Sequence, residues 1–314
     1  GPVGLSLALA LSRQNVHSVV LERNSITTQH PRARGVNVRT MELFKQWGNH
    51  NELLQFEQPK ESWRIIWSES FQGTEVTRVE AYSSDSINVT PAVRSLVCQD
   101  RVEKSLYHTL LKHKEAKVQF LKELISFEED EHGITARILN KETGGIEFLH
   151  TQYLIAADGA HSKLRSQLGI TMQGPDNLGM FCNVYCKIDI REWTKHRPCV
   201  GYFFTDLQLS GRWLASIDGD KLWVIGMSFS KGMTKEIFTD EYCISEIQRV
   251  VGLPNLEVNI LNKSFWTMAA QLANQYRKNR AFLVGDAAHR LPPSGGFGMN
   301  TGIQDAHNLA WKLA

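Results

Sequence analysis

The sequence lacks the features that mark several protein classes. Its five cysteines, an odd count, include no C-x-x-C pair, and Cys182 and Cys186 have no nearby His at metal-ligand spacing, which argues against a disulfide framework and a metal site. No apolar run is longer than Leu7–Leu11, which is far too short to span a membrane. The formal charge of +2 is not gathered into a basic stripe, so nucleic-acid binding is not expected. We expect reduced thiols and a cytoplasmic protein, while the absence of an initiator Met leaves a targeting peptide open.

Repeats, linkers and hydrolase motifs are also missing. No internal repeat or Pro/Gly/Ser-rich linker divides the chain, and neither a G-x-S-x-G motif nor a Ser-His-Asp order supports hydrolase chemistry. With 314 residues and 42% hydrophobic content, the chain can bury a substantial core. This length suggests about two domains.

The segment from Arg280 to the end carries the clearest functional pattern. A short apolar strand, Ala281–Val284, ends at Gly285 and Asp286. Ligands of open α/β sheets bind beyond the carboxyl ends of the strands, so Asp286 is a candidate ligand-binding carboxylate.

A proline- and glycine-rich loop follows this turn and leads into a helix. The loop contains Pro293, Gly296 and Gly298, and such glycines let a flat or phosphorylated group approach the backbone closely. From Asn300 onward apolar residues recur at helical spacing. The free amide groups at the start of this predicted helix suit an anion or an electron-rich carbonyl.

The first residues match the second half of a dinucleotide-binding unit. Gly1 and Gly4 have the spacing of the last two glycines of G-x-G-x-x-G, and a helical run and the strand Ser18–Glu22 follow. Glu22 lies 18 positions after Gly4 (22 − 4), close to the interval of the acidic residue that binds a ribose. We expect the first strand and first glycine to precede the given sequence. Taken alone, the two glycines also fit a simple turn.

Three further segments contain candidate residues. The apolar strand Tyr153–Ala157 runs into Asp158-Gly159, with Arg165 a little later, although a strand followed by an Asp-Gly turn is common. Arg34 lies in a basic turn suited to a pyrophosphate, with Arg39 as the alternative, and Gln99 precedes a predicted helix, where it could also be an ordinary capping residue.

In this order, the segments resemble the FAD-binding motifs of the group A flavoprotein aromatic hydroxylases, the p-hydroxybenzoate hydroxylase-like monooxygenases. The resemblance implies that Glu22 binds the adenosine ribose, Asp286 binds the ribityl chain, and the helix start at Gly298 faces the pyrimidine edge of the flavin. Asp158-Gly159 and Arg165 would support the pyrophosphate and the pyridine nucleotide. The implied cofactor-binding residues are Gly1, Gly4, Glu22, Arg34, Gln99, Asp158, Gly159, Arg165, Gly285, Asp286, Pro293, Gly296, Gly298, Met299 and Asn300.

The resemblance and the strand patterns together predict an α/β fold. A discontinuous Rossmann-like FAD-binding domain would comprise residues 1–57, 99–170 and 280–314, and an inserted β-rich substrate domain would comprise residues 58–98 and 171–279, with the chain truncated at both ends. Predicted strands of the insertion include Trp63–Ser68 and Val76–Tyr82. Its aromatic residues could line a pocket for a planar substrate or pack a sheet face: Trp193, Tyr202, Phe203, Phe204, Trp213, Trp223, Phe229, Phe265 and Trp266.

The resemblance implies a monooxygenase in which NADPH or NADH reduces FAD, O₂ forms a flavin C4a-hydroperoxide, and a phenolic or polycyclic aromatic substrate is hydroxylated. The alternatives are an oxidase or a non-aromatic monooxygenase of the same fold, and a non-catalytic FAD-binding fragment or redox sensor. No metal is expected, and the oligomeric state stays open. Tyr185, Tyr202 and His196 are unranked candidates for a substrate-activating base, and His289 is expected to have a structural role.

Overall fold

The computed structural model describes residues 1–80, 89–230 and 232–314. Within these residues there are eight α-helices: α1 (Pro2–Ser12), α2 (Val38–Trp47), α3 (His50–Leu54), α4 (Gln99–Leu110), α5 (Lys163–Gln167), α6 (Arg191–Thr194), α7 (Asp240–Val251) and α8 (Phe297–Leu313). Short 3-10 helices lie at Lys60–Ser62, Leu207–Leu209, Lys235–Ile237, Gly285–Ala287 and Ser294–Gly296.

The described residues also form twenty short strands. They are β1 (Ser18–Glu22), β2 (Gly35–Val36), β3 (Arg64–Ser68), β4 (Glu75–Glu80), β5 (Ser95–Leu96), β6 (Ala116–Phe120), β7 (Lys122–Glu129), β8 (Ile134–Asn140), β9 (Ile146–Thr151), β10 (Leu154–Ala156), β11 (Met172–Gln173), β12 (Gly179–Lys187), β13 (Gly201–Phe204), β14 (Arg212–Ser216), β15 (Leu222–Ser228), β16 (Asn259–Met268), β17 (Gln271–Ala273), β18 (Arg277–Lys278), β19 (Ala281–Leu283) and β20 (His289–Arg290). Of the predicted strand 76–82, residues 81 and 82 lie outside the described residues.

The chain divides into two compact units. Unit 1 contains Gly1–Phe56, Thr90–Asp176 and Ala269–Ala314, and unit 2 contains Glu57–Val89 and Asn177–Met268. Each unit is therefore assembled from segments that are far apart in the sequence.

Helix α1 is the buried centre of unit 1. Pro2 lies in its first turn, where the missing N–H costs no helical hydrogen bond, and every residue from Leu5 to Ser12 is buried. Its core cluster includes residues of α2, α4 and α8. The glycines permit close packing, since a Cβ on Gly302 of α8 would lie 2.6 Å from Cγ2 of Val3.

Two parallel pairs of strands position the motifs of unit 1. Strand β1 pairs with β6, which places Glu22 opposite Phe120 at the end of the pair. Strand β10 pairs with β19, so that Ala156 lies opposite Leu283. The Asp-Gly turn after β10 and the Gly-Asp turn after β19 therefore lie side by side at the carboxyl ends of neighbouring strands.

Unit 2 is built on one seven-stranded sheet in the order β16-β12-β15-β14-β13-β3-β4. Strands β3 and β13 are parallel and the other neighbours are antiparallel, so both segments of the unit contribute to a mixed sheet. The turn Asp218–Asp220 connects β14 to β15, with Gly219 at φ +77°. One sheet face packs on α7, because Ile225 of β15 and Ile247 of α7 belong to one core cluster.

Most predicted elements occur close to their expected bounds. The strand Ser18–Glu22 is observed without change, whereas the helix expected from Asn300 begins three residues earlier, at Phe297. The earlier start follows from Gly295 and Gly296, whose left-handed conformations at φ +83° and +67° bring the loop directly into the first helical turn.

Candidate functional site

The Gly-Asp turn after β19 presents the carboxylate of Asp286. Strand β19 is followed by a 3-10 turn, Gly285–Ala287, in which Gly285 has φ +60°. Asp286 is exposed, and no hydrogen bond joins its side chain to the residues that the structure describes. Partial desolvation by the surrounding protein raises the pKa of Asp286, while the charges of His289, Arg290 and Arg32 act in the opposite direction. The carboxylate is therefore free to accept hydrogen bonds from a bound hydroxyl group.

Asp305, on α8, contacts the residues on both sides of this carboxylate. Its Oδ2 accepts a hydrogen bond from the Gly285 amide at 2.9 Å and lies 2.6 Å from Nε2 of the buried His289. The predicted structural role of His289 agrees with this contact. Asp305 was not predicted from the sequence, although a carboxylate between the apolar positions Ile303 and Ala306 was a usable signal.

The start of α8 follows the two left-handed glycines. A Cβ on Gly296 or Gly298 would meet nothing within 4 Å, so the backbone is open to a bound group there. Pro293 is exposed beside this loop, and Met299 is buried at 8% exposure. The first amide groups of a helix lack intrahelical acceptors, which suits an electron-rich edge of a ligand.

The side chain of Asn300 is used within the protein. Its Nδ2 donates to the carbonyl oxygens of Gly35 and Gly296, both at 2.8 Å, and its Oδ1 accepts from the Asn37 amide at 2.9 Å. The Asn300 side chain therefore joins β2 and the first residue before α2 to the start of α8.

The amino-terminal motif comes together at the end of β1. The Oε2 atom of Glu22 lies 3.7 Å from the backbone nitrogen of Gly1, and Oε1 accepts two hydrogen bonds from Asn24. Gly4 faces the Asp-Gly segment, because its Cβ would lie 3.5 Å from that of Ala157. The predicted glycine turn and the acidic residue are thus adjacent, as a ribose-binding site requires.

Arg165 connects the Asp-Gly and Gly-Asp segments. Its Nη1 donates to the carbonyl oxygen of Ala287 at 3.1 Å, and its Nη2 donates to that of Ala160 at 3.2 Å. Burial lowers the pKa of Arg165 and Asp158 opposes this shift. Asp158 itself is exposed and accepts from the Leu164 amide at 3.3 Å, and Gly159 has φ +82°. Part of the Arg165 guanidinium therefore stabilises the two turns instead of facing a ligand.

Gln99 begins α4 and is fixed at both ends. Its backbone amide donates to the carbonyl oxygen of Ala33 at 2.8 Å, and its side-chain Nε2 donates to Oε1 of the buried Glu103 at 2.8 Å. The other Glu103 oxygen accepts from the Thr28 amide at 3.0 Å. These contacts bring the half-buried Arg34, next to Ala33 in the chain, to the start of α4.

The aromatic residues of unit 2 divide between the two faces of its sheet. Tyr202 and Trp223 belong to the core, and Trp193, Phe204, Phe229 and Phe265 pack against that core. Phe203, Trp213 and Trp266 lie on the opposite face, because strand positions alternate. There Trp213 stacks on Phe203, with ring centroids 6.5 Å apart, and Phe203 stacks on Trp67 at 5.5 Å.

The three candidate bases have different environments. Tyr202 is fully buried, its hydroxyl donates to the carbonyl oxygen of Arg197 at 2.8 Å, and burial raises its pKa, so it does not suit a base. Tyr185 lies between the core residues Val184 and Cys186 in β12, and because side chains alternate along a strand it is on the sheet face opposite the core. His196 follows α6.

The described part of the chain has neither a membrane-spanning helix nor a metal-binding cluster. None of its helices has the length and apolar character to cross a bilayer. No cluster of three or more His, Cys, Asp or Glu side chains could hold a metal ion there.

Comparison with known proteins agrees with this geometry. The profile of the FAD binding domain family matches residues 1–314. A putative polyketide hydroxylase of Streptomyces coelicolor is 36% identical over 321 residues, which cover 99% of this chain and 51% of that protein.

Two solved structures have the same fold over the whole of this chain. The flavin-dependent monooxygenase PieE, in complex with FAD and substrate, matches with a TM-score of 0.93 and 31% identity over 56% of its own chain. Aklavinone-11 hydroxylase, in a ternary complex with FAD and aklavinone, matches with a TM-score of 0.92 and 29% identity over 60% of its chain.

The chain spans about half the length of the relatives that it matches. Its α/β architecture is that of FAD-dependent monooxygenases, as the sequence predicted. By sequence profile, fold and motif geometry, this chain belongs to the FAD binding domain family.

Proposed function

We propose that this chain is the FAD- and substrate-binding part of a monooxygenase that hydroxylates a phenolic or polycyclic aromatic compound with NADPH or NADH and O₂. The observation that carries the proposal is the exposed Asp286 carboxylate beside the Asp-Gly turn, which makes no hydrogen bond to the described residues. The membership in a family of FAD-binding proteins supports the same conclusion.

The described residues fit FAD. Asp286 would bind the ribityl chain, Glu22 would bind the adenosine ribose, and the amide groups at Gly298 and Met299 would face the pyrimidine edge. Gly159 and Gly296 have left-handed conformations with no atom within 4 Å of a Cβ, which leaves room for a cofactor next to the backbone. Arg34 and Arg165 would place positive charge near the pyrophosphate. Bound FAD would supply the redox chemistry, and the protein would orient it and exclude water.

We assign substrate binding to unit 2. The stacked rings of Trp67, Phe203 and Trp213 form an aromatic row on the sheet face opposite the core. Such a surface favours a planar, apolar ligand. The relatives support this class, since one is a putative polyketide hydroxylase and another was solved with aklavinone.

Oxygen incorporation is the decisive test of the activity. Purified protein supplied with FAD, NADPH or NADH, ¹⁸O₂ and a panel of phenols and polycyclic aromatics should yield a product that contains one labelled oxygen atom. If the flavin is reduced but no product contains labelled oxygen, the result would favour an oxidase. If the substrates do not stimulate oxidation of NADPH or NADH, the result would favour a binding or sensing role.

The FAD site has a test of its own. Removing a hydrogen bond to a charged group costs about 1.5–3 kcal/mol, so Asp286→Ala should bind FAD roughly tenfold to a hundredfold more weakly. Glu142→Ala, an exposed carboxylate in the turn between β8 and β9, is the matched control. Equal FAD affinity in the two variants would remove Asp286 from the site.

A further inference from the structure

We propose that Asp305 is the positioning residue for the Asp286 carboxylate, and that by holding both sides of its turn Asp305 sets the affinity for FAD. The inference rests on the proposed FAD-binding role of Asp286, and it is independent of the hydroxylation reaction.

The geometry shows how Asp305 can act through the turn. A single oxygen, Oδ2, accepts from the Gly285 amide at 2.9 Å and contacts Nε2 of His289 at 2.6 Å. Asp286 lies between these two residues in sequence, and its own side chain has no hydrogen bond within the described residues. Its position is therefore determined by the backbone of the turn.

Packing supports the same turn. Gly285 has φ +60°, a left-handed conformation that glycine adopts without strain. One helical turn before Asp305, Gly302 packs so closely that its Cβ would lie 3.2 Å from the Gly285 Cα. Helix α8 thus supports the turn by packing at Gly302 and by hydrogen bonding at Asp305.

The charges around His289 make this support dependent on pH. Burial lowers the pKa of His289, but its hydrogen bond to Asp305 and the charges of Asp305 and Asp286 outweigh burial, and the pKa is raised. Two other groups lie close to the turn: Arg290, whose charge acts on Asp286, and Tyr276, whose ring centroid is 6.4 Å from that of His289. Across the turn, Arg32 also acts on Asp286.

The direction of the pH effect follows from the raised pKa. The ion pair between His289 and Asp305 is fully present below the unfolded pKa of His289 and is lost as pH rises through the folded value. FAD affinity should fall over the same interval, because the turn loses its charged hydrogen bond.

A double-mutant cycle tests the proposal. FAD dissociation constants are measured by flavin fluorescence titration for the wild type, Asp305→Asn, Asp286→Ala and the double variant, from about pH 6 to about pH 9. Asn308→Ala, an exposed position on the same helix, is the control. Asp305→Asn should weaken FAD binding about tenfold at the lower pH, while in the Asp286→Ala background it should change the affinity by less than about twofold.

Additive effects of the two substitutions, or an Asp305→Asn affinity equal to that of Asn308→Ala, would overturn the proposal. If Asp305→Asn does not fold, as judged by the melting temperature of the FAD-free protein, His289→Gln replaces it and leaves the Gly285–Asp305 hydrogen bond intact. That variant should lose the fall in affinity at higher pH, and an unchanged pH profile would refute the role.

The binding readout separates this inference from the proposed activity. Wild-type protein that fails to bind FAD would overturn the positioning role together with the role of Asp286. Protein that shows the coupled loss of FAD affinity but hydroxylates no aromatic compound would support the positioning role and contradict only the proposed reaction.

Discussion

Arg165 donates a hydrogen bond through Nη1 to the carbonyl oxygen of Ala287, at 3.1 Å, although the two residues are 122 positions apart in the sequence. A second bond from Nη2 to Ala160 ties the same guanidinium to the Asp-Gly turn. The two motifs are therefore held together by a side chain as well as by the parallel pairing of β10 and β19.

Replacing Arg165 should therefore reduce stability as well as cofactor binding. Arg165→Met removes both hydrogen bonds and should lower the free energy of unfolding by about 2 kcal/mol, measured by urea denaturation. Arg137→Met, at an exposed position of β8, is the control. The same unfolding midpoint in both variants would mean that the two bonds contribute nothing to stability.

Glu22 is expected to bind the adenosine ribose through the oxygen that faces Gly1. Glu22→Ala should weaken FAD binding by about tenfold or more while the far-ultraviolet circular dichroism is unchanged, because the residue ends β1 and does not belong to the core. Glu128→Ala, exposed on β7, should bind FAD like the wild type. A flavin complex in which Glu22 points away from the ribose would refute the assignment.

Two glycines of α8 should respond differently to the same substitution. A Cβ at Gly302 would lie 2.6 Å from Val3, whereas one at Gly298 would meet nothing within 4 Å. Gly302→Ala should therefore destabilise the protein by about 1–3 kcal/mol, and Gly298→Ala should be neutral or slightly stabilising. Val3→Ala in the Gly302→Ala background should restore part of the loss in thermal melts. If Val3→Ala does not restore stability, the strain caused by Gly302→Ala arises from a contact other than the one with Val3.

The cysteines should be unreactive in the folded protein. All five are free and buried, and burial together with the nearby Cys243 raises the pKa of Cys186 to about 12. The hydrogen bond with Cys182 lowers the pKa of Cys243, but this side chain is fully buried and inaccessible to a reagent. Thiolates are the reactive species, so Ellman's reagent at about pH 8 should modify the native protein very slowly and all five thiols after unfolding. Rapid modification of a native thiol would show that the packing around it opens.

The sequence could predict local elements and the order of the motifs, because both depend on short patterns. The strand that ends at Gly285-Asp286 follows from an apolar run and a turn, and it occurs as β19. The contacts of Asp305 and Asn300 could not be predicted in this way. Asn300 bonds to Gly35, 265 positions away, and such a pairing depends on how α8 packs in the fold.

The aromatic residues show the same limit in unit 2. Composition marked nine of them as candidates for a pocket, but only the strand register separates the core residues Tyr202 and Trp223 from Phe203 and Trp213 on the other face. A shift of one residue in any strand would have reversed that assignment.

Gly226 should control the shape of the aromatic row. Its Cβ would lie 1.9 Å from Cε2 of Trp213, so the indole covers the glycine and Gly226→Ala must displace it. Because Trp213 stacks on Phe203, the displacement should change the surface offered to a planar substrate. We expect the KM for a polycyclic substrate to rise about tenfold or more while FAD affinity stays the same, since Gly226 belongs to unit 2 and the residues proposed to bind FAD belong to unit 1. Gly201→Ala, where the nearest atom to a Cβ is 3.4 Å away, is the control on β13, which is separated from β15 by β14. Unchanged KM and product pattern in Gly226→Ala would exclude the aromatic row from substrate binding, and an equal effect of Gly201→Ala would assign the change to the sheet as a whole.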